Sequence, residues 1–143
     1  MDETQIRAIL ALLLEKLQSE VFDWRLEGSA NLKIQGLPVS VRDLDIATGD
    51  AGIAIFRNAL KEFLVRDFLS PAINGHTLLC TIYGFEVEIN AYRNEALMMF
   101  DKVQTIRWRG LQIPVLPLSC ARKFYELTDR PEKAAFIAGY LEE

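Results

Sequence analysis

The sequence predicts a single-domain α/β protein, with the core over residues 1–117 and a helical extension over residues 118–143. Three observations carry the prediction. Apolar residues recur at helical spacing through the first seventeen positions. Residues 85–92 alternate apolar and polar with a period of two. Between them, a strand-like run passes through Gly28-Ser29 into a short helical segment.

Each element has a local reason. Ile6, Ile9, Leu10, Leu13, Leu14 and Leu17 form one helix face, with Asp2 as N-cap and Gln5 three residues on. Residues 21–27 read as a strand, Gly28-Ser29 as a turn, and 30–35 as a short helix stopped by Gly36 and Pro38. A strand over 43–48 follows. Asp50 is expected to cap a helix whose apolar face, Ile53, Ile55, Phe56, Leu60, Phe63 and Leu64, runs to about Asp67, with Ser70-Pro71 closing it.

Residues 76–83 and 85–92 predict two strands joined at Gly84. In the second, Phe85, Val87, Ile89 and Ala91 face one way and Glu86, Glu88 and Asn90 the other. Residues 94–102 are irregular, 103–108 strand-like, and 113–117 an extended link stiffened by two prolines. Helices over 119–128 and 131–142 finish the chain, the second opening on Pro131, where a missing donor is harmless.

Composition narrows the function classes. Twenty acidic against sixteen basic residues give a formal charge of -4, which disfavours a protein built to neutralise nucleic-acid phosphates. Cys80 and Cys120 stand singly, without metal-site or disulfide spacing, and the expectation is a reduced, cytoplasmic chain. With one histidine, His76, zinc chemistry has few ligands. The apolar run Ala8 to Leu14 is too short to span a bilayer and has no basic flank before it, so no membrane or export segment is expected.

The chemistry concentrates in Gly28-Ser29, Asp43-Leu44-Asp45-Ile46 and Val87-Glu88-Ile89. Asp43 and Asp45, two apart on a strand, leave one face at about 7 Å between Cα positions, while Leu44 and Ile46 enter the core. Glu88 also faces away from the core. If its strand is the neighbour, three carboxylates converge. Such oxygens suit Mg²⁺ (two ions expected, Mn²⁺ as substitute), with open positions for substrate phosphates. Gly28 and Ser29 add backbone amides and a hydroxyl at a helix start, where a triphosphate can sit. Phosphoryl transfer needs little beyond such positioning and neutralisation.

In that order these residues resemble the nucleotidyltransferase superfamily of DNA polymerase beta. Across most of its length the chain is similar to small stand-alone bacterial and archaeal nucleotidyltransferase-like proteins. The likeness extends through 28–39, 84–89, 110–118 and Arg130-Pro-Glu-Lys133. It implies a nucleotidyltransferase fold: a mixed β-sheet with helices packed on one face, plus the C-terminal helices. It also implies metal-binding, catalytic Asp43, Asp45 and Glu88, with Gly28, Ser29, Arg130 and Lys133 on the nucleotide. The reaction implied is transfer of a nucleoside monophosphate from an NTP such as ATP to an acceptor hydroxyl on a small molecule or protein.

Several residues depart from the pattern or compete with it. Glu27 stands where many members carry a glycine, which places an acid beside the triphosphate site unless strand alternation turns it away. Glu86 shares the outward face of Glu88 and is held in reserve as third acid. Arg42 alternates to the side opposite Asp43 and is expected in an edge or intersubunit ion pair. His76 reads as a structural histidine, Cys80 as an inert core thiol, and Trp24, Trp108, Tyr83 and Tyr125 as packing aromatics. A non-catalytic nucleotide-binding or antitoxin-like module is the alternative function. A nucleic-acid-tailing enzyme is the least favoured. A homodimer or a protein partner is compatible with the short chain.

Overall fold

A computed structural model describes residues 1–18 and 20–141. Helix α1 (Glu3–Leu17) begins at the expected capping box: Gln5 N donates to Asp2 Oδ1 at 2.8 Å, and Asp2 N to Gln5 Oε1 at 2.9 Å. It is followed by β1 (Trp24–Glu27), α2 (Gly28–Ile34), β2 (Leu44–Thr48) and α3 (Asp50–Ala59). Then come β3 (Leu64–Ser70), β4 (Gly75–Ile82), β5 (Phe85–Tyr92) and the short α4 (Glu95–Met98). The chain closes with β6 (Gln104–Trp108), β7 (Leu111–Val115), α5 (Leu118–Leu127) and α6 (Pro131–Leu141). The expected end of α6 at Glu142 lies outside the described residues.

All seven strands form one mixed sheet in the order β3-β4-β5-β2-β1-β7-β6. The β2–β5 and β1–β7 pairs are parallel and the rest antiparallel. One face of the sheet packs on α1 and α3. Ile6, Ile9, Leu10 and Leu13 meet Leu26, Leu44, Ile46, Val87 and Ile89 there, all fully buried. Phe56 anchors α3 through edge-to-face contacts with Phe22 and Trp24, centroids 5.4 and 5.9 Å apart. A second apolar cluster lies elsewhere, where Ala47, Tyr92 and Leu97 pack with Phe124 and Tyr125 of α5 and Ile137 of α6.

The structure corrects four expectations. Residues 64–70 form an edge strand rather than the end of α3. The apolar spacing through Leu60, Phe63 and Leu64 mimics a helix, but a 3-10 turn at Lys61–Phe63 redirects the chain, and pairing with β4 satisfies its backbone. Gly49, not Asp50, is the N-cap of α3; Asp50 is its first helical residue, where its charge still complements the helix dipole. Residues 111–115 are a strand rather than a link, and Pro114 is tolerated where β7 meets β1 at one register position, Leu26 with Val115. Tyr83 is 63% exposed at the tip of the β4–β5 hairpin, where it and Gly84 both take positive φ, so it packs against no core.

Candidate active site

The parallel pairing of β2 with β5 sets Asp45 directly beside Glu88. On its other side, antiparallel β1 sets Glu27 directly beside Asp45. Carboxylates from three adjacent strands therefore form a row, spaced by the roughly 4.8 Å between neighbouring strands. They face away from the α1–α3 layer because Leu26, Leu44, Ile46, Val87 and Ile89 occupy the alternate positions. Asp43 precedes β2 on a bend. Strand alternation consequently does not separate it from Arg42, whose Nε lies 3.5 Å from Asp43 Oδ2 on a wholly exposed side chain. All four acids line one cleft of about 560 Å³. Glu86 is exposed opposite Thr81 and does not line this cleft; Glu88 does.

The environment of each acid follows from its neighbours. Burial, then the charges of Glu88 and Glu27, push Asp45 up to about 7. Burial also raises Glu27, against the opposing pull of Arg25 and Tyr92. Tyr92 donates its hydroxyl to Glu27 Oε2 at 2.9 Å, and Arg25 Nη2 lies 3.3 Å from Oε1. Arg25 is fully buried. It donates to the carbonyls of Leu97 and Met98, lies 5.0 Å from the Phe100 ring centroid, and leaves only Nε without a partner. Glu27 thus belongs to an Arg25–Glu27–Tyr92 network under the cleft, and its charge is already engaged.

Gly28 opens α2 with φ +67°, and a Cβ there would overlap the Asp45 carboxylate. Glycine at this position is thus required twice, by backbone conformation and by space. No side chain caps this end of α2. Ser29 lines a second cleft of about 500 Å³, with Lys133, Arg42 and Phe136; Asp43, Asp45 and Tyr125 line both clefts. Arg130 lines the first cleft and Lys133 the second. Their charged ends lie 6.0 and 5.4 Å from the Tyr125 ring centroid, so this buried ring carries both cations. Tyr125 is a packing aromatic, as expected, and also a wall of the site.

The convergence of three expected acids is realised as an adjacent pair, Asp45 and Glu88, with Asp43 to one side. Among the described residues no three His, Cys, Asp or Glu side chains are grouped to enclose a metal by themselves. An open carboxylate pair nonetheless fits Mg²⁺, which binds through one or two carboxylates and completes its shell with water and substrate phosphates. The mutual destabilisation that raises Asp45 is what a cation would relieve.

No protein-family model matches the chain, and no curated protein matches it. Solved structures do. A candidate nucleotidyltransferase from Thermotoga maritima superposes with a TM-score of 0.77 at 25% identity, covering 99% of this chain and 96% of that one. The chain has a nucleotidyltransferase-like fold. A lincosamide antibiotic adenylyltransferase solved with lincomycin bound shares it at TM-score 0.61 and 13% identity, with 96% and 98% of the two chains covered. The antibiotic-resistance factor ANT(2'')-Ia does so at 0.64 and 9%, covering 99% and 86%.

Within the nucleotidyltransferase-like fold, four contributors escape sequence reasoning. Arg25 and Tyr92 both reach the Glu27 carboxylate, across two and sixty-five residues of sequence, and no local pattern announces that they meet there. Thr77 and Asn90 join only through the β4–β5 register. The signal for Tyr92 and Asn90 was present in the outward alternation of β5, which continues past Glu88. Among the described residues no helix is long and apolar enough to cross a membrane.

Proposed function

We propose that the chain is a nucleotidyltransferase moving a nucleoside monophosphate from an NTP to a hydroxyl of a small acceptor. The observation that carries this reading is the Glu27–Asp45–Glu88 row in a cleft beside the uncapped start of α2. The second cleft takes the phosphates: Ser29 offers a hydroxyl and Lys133 and Arg42 supply positive charge, while Gly28, on the first cleft, lets the backbone approach Asp45. The first cleft takes the acceptor, with Arg130 at its exposed edge. Asp43, Asp45 and Glu88 would hold Mg²⁺, as two ions or with Mn²⁺ in its place, which neutralises phosphate charge and favours ionisation of the attacking hydroxyl.

In the transfer, the acceptor oxygen forms a bond to the α-phosphorus, the bond from that phosphorus to the bridging oxygen breaks, and pyrophosphate leaves. In this reading Glu88, which lines the first cleft, also helps to take the hydroxyl proton. Tyr92 and Arg25 hold Glu27 so that it does not repel the nucleotide with a free carboxylate. Calorimetric titration of NTPs, with and without Mg²⁺, tests the reading on wild type and an Asp43→Asn/Asp45→Asn variant. Metal-dependent binding lost in the variant is expected; no binding of any NTP to the wild type overturns it.

A further inference from the structure

Beyond the acids, the first cleft contains a buried polar side chain with an unused donor. Asn90 is only 5% exposed, lies on β5 two residues past Glu88 on the same face, and lines the cleft. The Thr77 hydroxyl, on the neighbouring strand, donates to Asn90 Oδ1 at 2.8 Å. That bond fixes the amide and leaves Nδ2 toward the cleft, where it donates to no protein atom among the described residues. The residue is buried but Nδ2 itself is accessible, since among the described residues the fully buried side-chain nitrogen or oxygen without a partner is Arg25 Nε; the amide is therefore free to donate to a molecule in the cleft it lines.

We propose that Asn90 is an acceptor-recognition residue, with Thr77 as its positioning residue, and that the acceptor is a small, neutral, hydroxyl-rich molecule such as a polyol or sugar. This rests on the reading of the first cleft as the acceptor side. Two residues of strand set the Glu88 and Asn90 Cα positions about 7 Å apart on one face, so the molecule presents a second oxygen to Asn90 beside its reacting hydroxyl. Neutrality follows from which groups remain free. Asp43, Asp45 and Glu88 are committed to the cation, Glu27 to Arg25 and Tyr92, and Asn94 Oδ1 to the amide of Ala96. Apart from Arg130 at the exposed edge, the polar side chains left over are uncharged: Asn74, Asn90 and Tyr125, the Thr128 hydroxyl already donating to the Phe124 carbonyl. Such a wall selects by hydrogen bonds to hydroxyls, and a site of this kind discriminates strongly against analogues lacking them.

The test is a nitrogen-15 NMR titration of the full chain in the presence of Mg²⁺ and without NTP, with myo-inositol, D-glucose and glucose 6-phosphate as probes. The Asn90 side-chain NH₂ signals are identified by their loss in Asn90→Asp, an isostere that can still accept from Thr77. Shifts of those signals with myo-inositol or glucose, and weaker ones with the phosphate ester, are expected. The affinity of the responding sugar or polyol should fall about tenfold in Asn90→Asp and in Thr77→Val, and recover in Thr77→Ser. Signals unmoved by all three compounds, equal response to the phosphate ester, or unchanged affinity in Asn90→Asp would each overturn the proposal. Because no NTP is present, failure here is distinguishable from failure of the transferase reading, which the NTP calorimetry decides separately.

Discussion

Two aspartates on the same sheet are driven in opposite directions by their neighbours. Asp67, on the edge strand β3, meets Arg57 Nε at 2.5 Å and His76 Nε2 at 2.5 Å, and the hydrogen bond from Arg57 brings its carboxyl down to about 2. Asp45, three strands inward, has Glu88 on one side and Glu27 on the other, and burial among acids brings it up to about 7. The first arrangement is complete within the protein. The second is an unrelieved concentration of negative charge, which is costly in a chain with no ligand and useful in one that binds a cation. An acid paired with cations is satisfied within the protein; an acid crowded by other acids is left for a ligand to satisfy, as the proposed function requires.

The comparison breaks most sharply at Asp45. Asp45→Asn is expected to reduce transfer by about two to three orders of magnitude, read as the rate of pyrophosphate release, while raising the metal-free melting midpoint by roughly 2–4 °C. Loss of activity with loss of stability would contradict the contrast. Its pH behaviour follows from the raised pKa. The native carboxyl binds a proton between about pH 4 and 7 that the unfolded chain has released, so metal-free stability falls as pH rises through that window and is flat above it. Thermal melts across pH 4–8 should show this slope, reduced in Asp45→Asn.

The buried network beneath the site comes next. Arg25→Met removes the charge that offsets Glu27 and leaves the Leu97 and Met98 carbonyls without their donor, so a loss of about 3–5 kcal/mol in urea unfolding is expected. Gly28→Ala should cost a further-reduced amount, about 1–2 kcal/mol from the positive φ, and in addition displace the Asp45 carboxylate, weakening Mg²⁺-dependent NTP binding in calorimetry.

The smallest effect is expected at the edge. Asp67, with its lowered pKa, contributes stability present above about pH 4 and lost as pH falls toward 2. The pair is partly solvent-accessible, so Arg57→Ala should cost only about 0.2–1 kcal/mol at neutral pH, less at high salt, and less again as pH falls to 2 in thermal melts. A larger cost would make the edge cluster more than a surface ion pair.

Much of this architecture was legible before any coordinates. The capping box of Asp2 and Gln5, the clean alternation of β5, and the outward placement of Asp45 and Glu88 all follow from local periodicity, which depends on a residue's immediate neighbours in sequence. Local periodicity also misled. Leu60, Phe63 and Leu64 satisfy a helical spacing, yet backbone pairing with β4 makes residues 64–70 a strand. Pro114 suggested a link, but pairing opposite Thr105 in the β6–β7 hairpin, and of Val115 with Leu26 on β1, makes it part of β7.

By itself the sequence determined which face of each strand its acids occupy, because a period of two leaves no alternative once Leu44, Ile46, Val87 and Ile89 are buried. The tertiary structure decided which of those acids meet. Strand order and register together make Glu27, Asp45 and Glu88 adjacent, leave Glu86 opposite Thr81 beyond the cleft, and bring Tyr92 to Glu27. Strand order is set by packing between segments distant in the chain, and no local pattern encodes it.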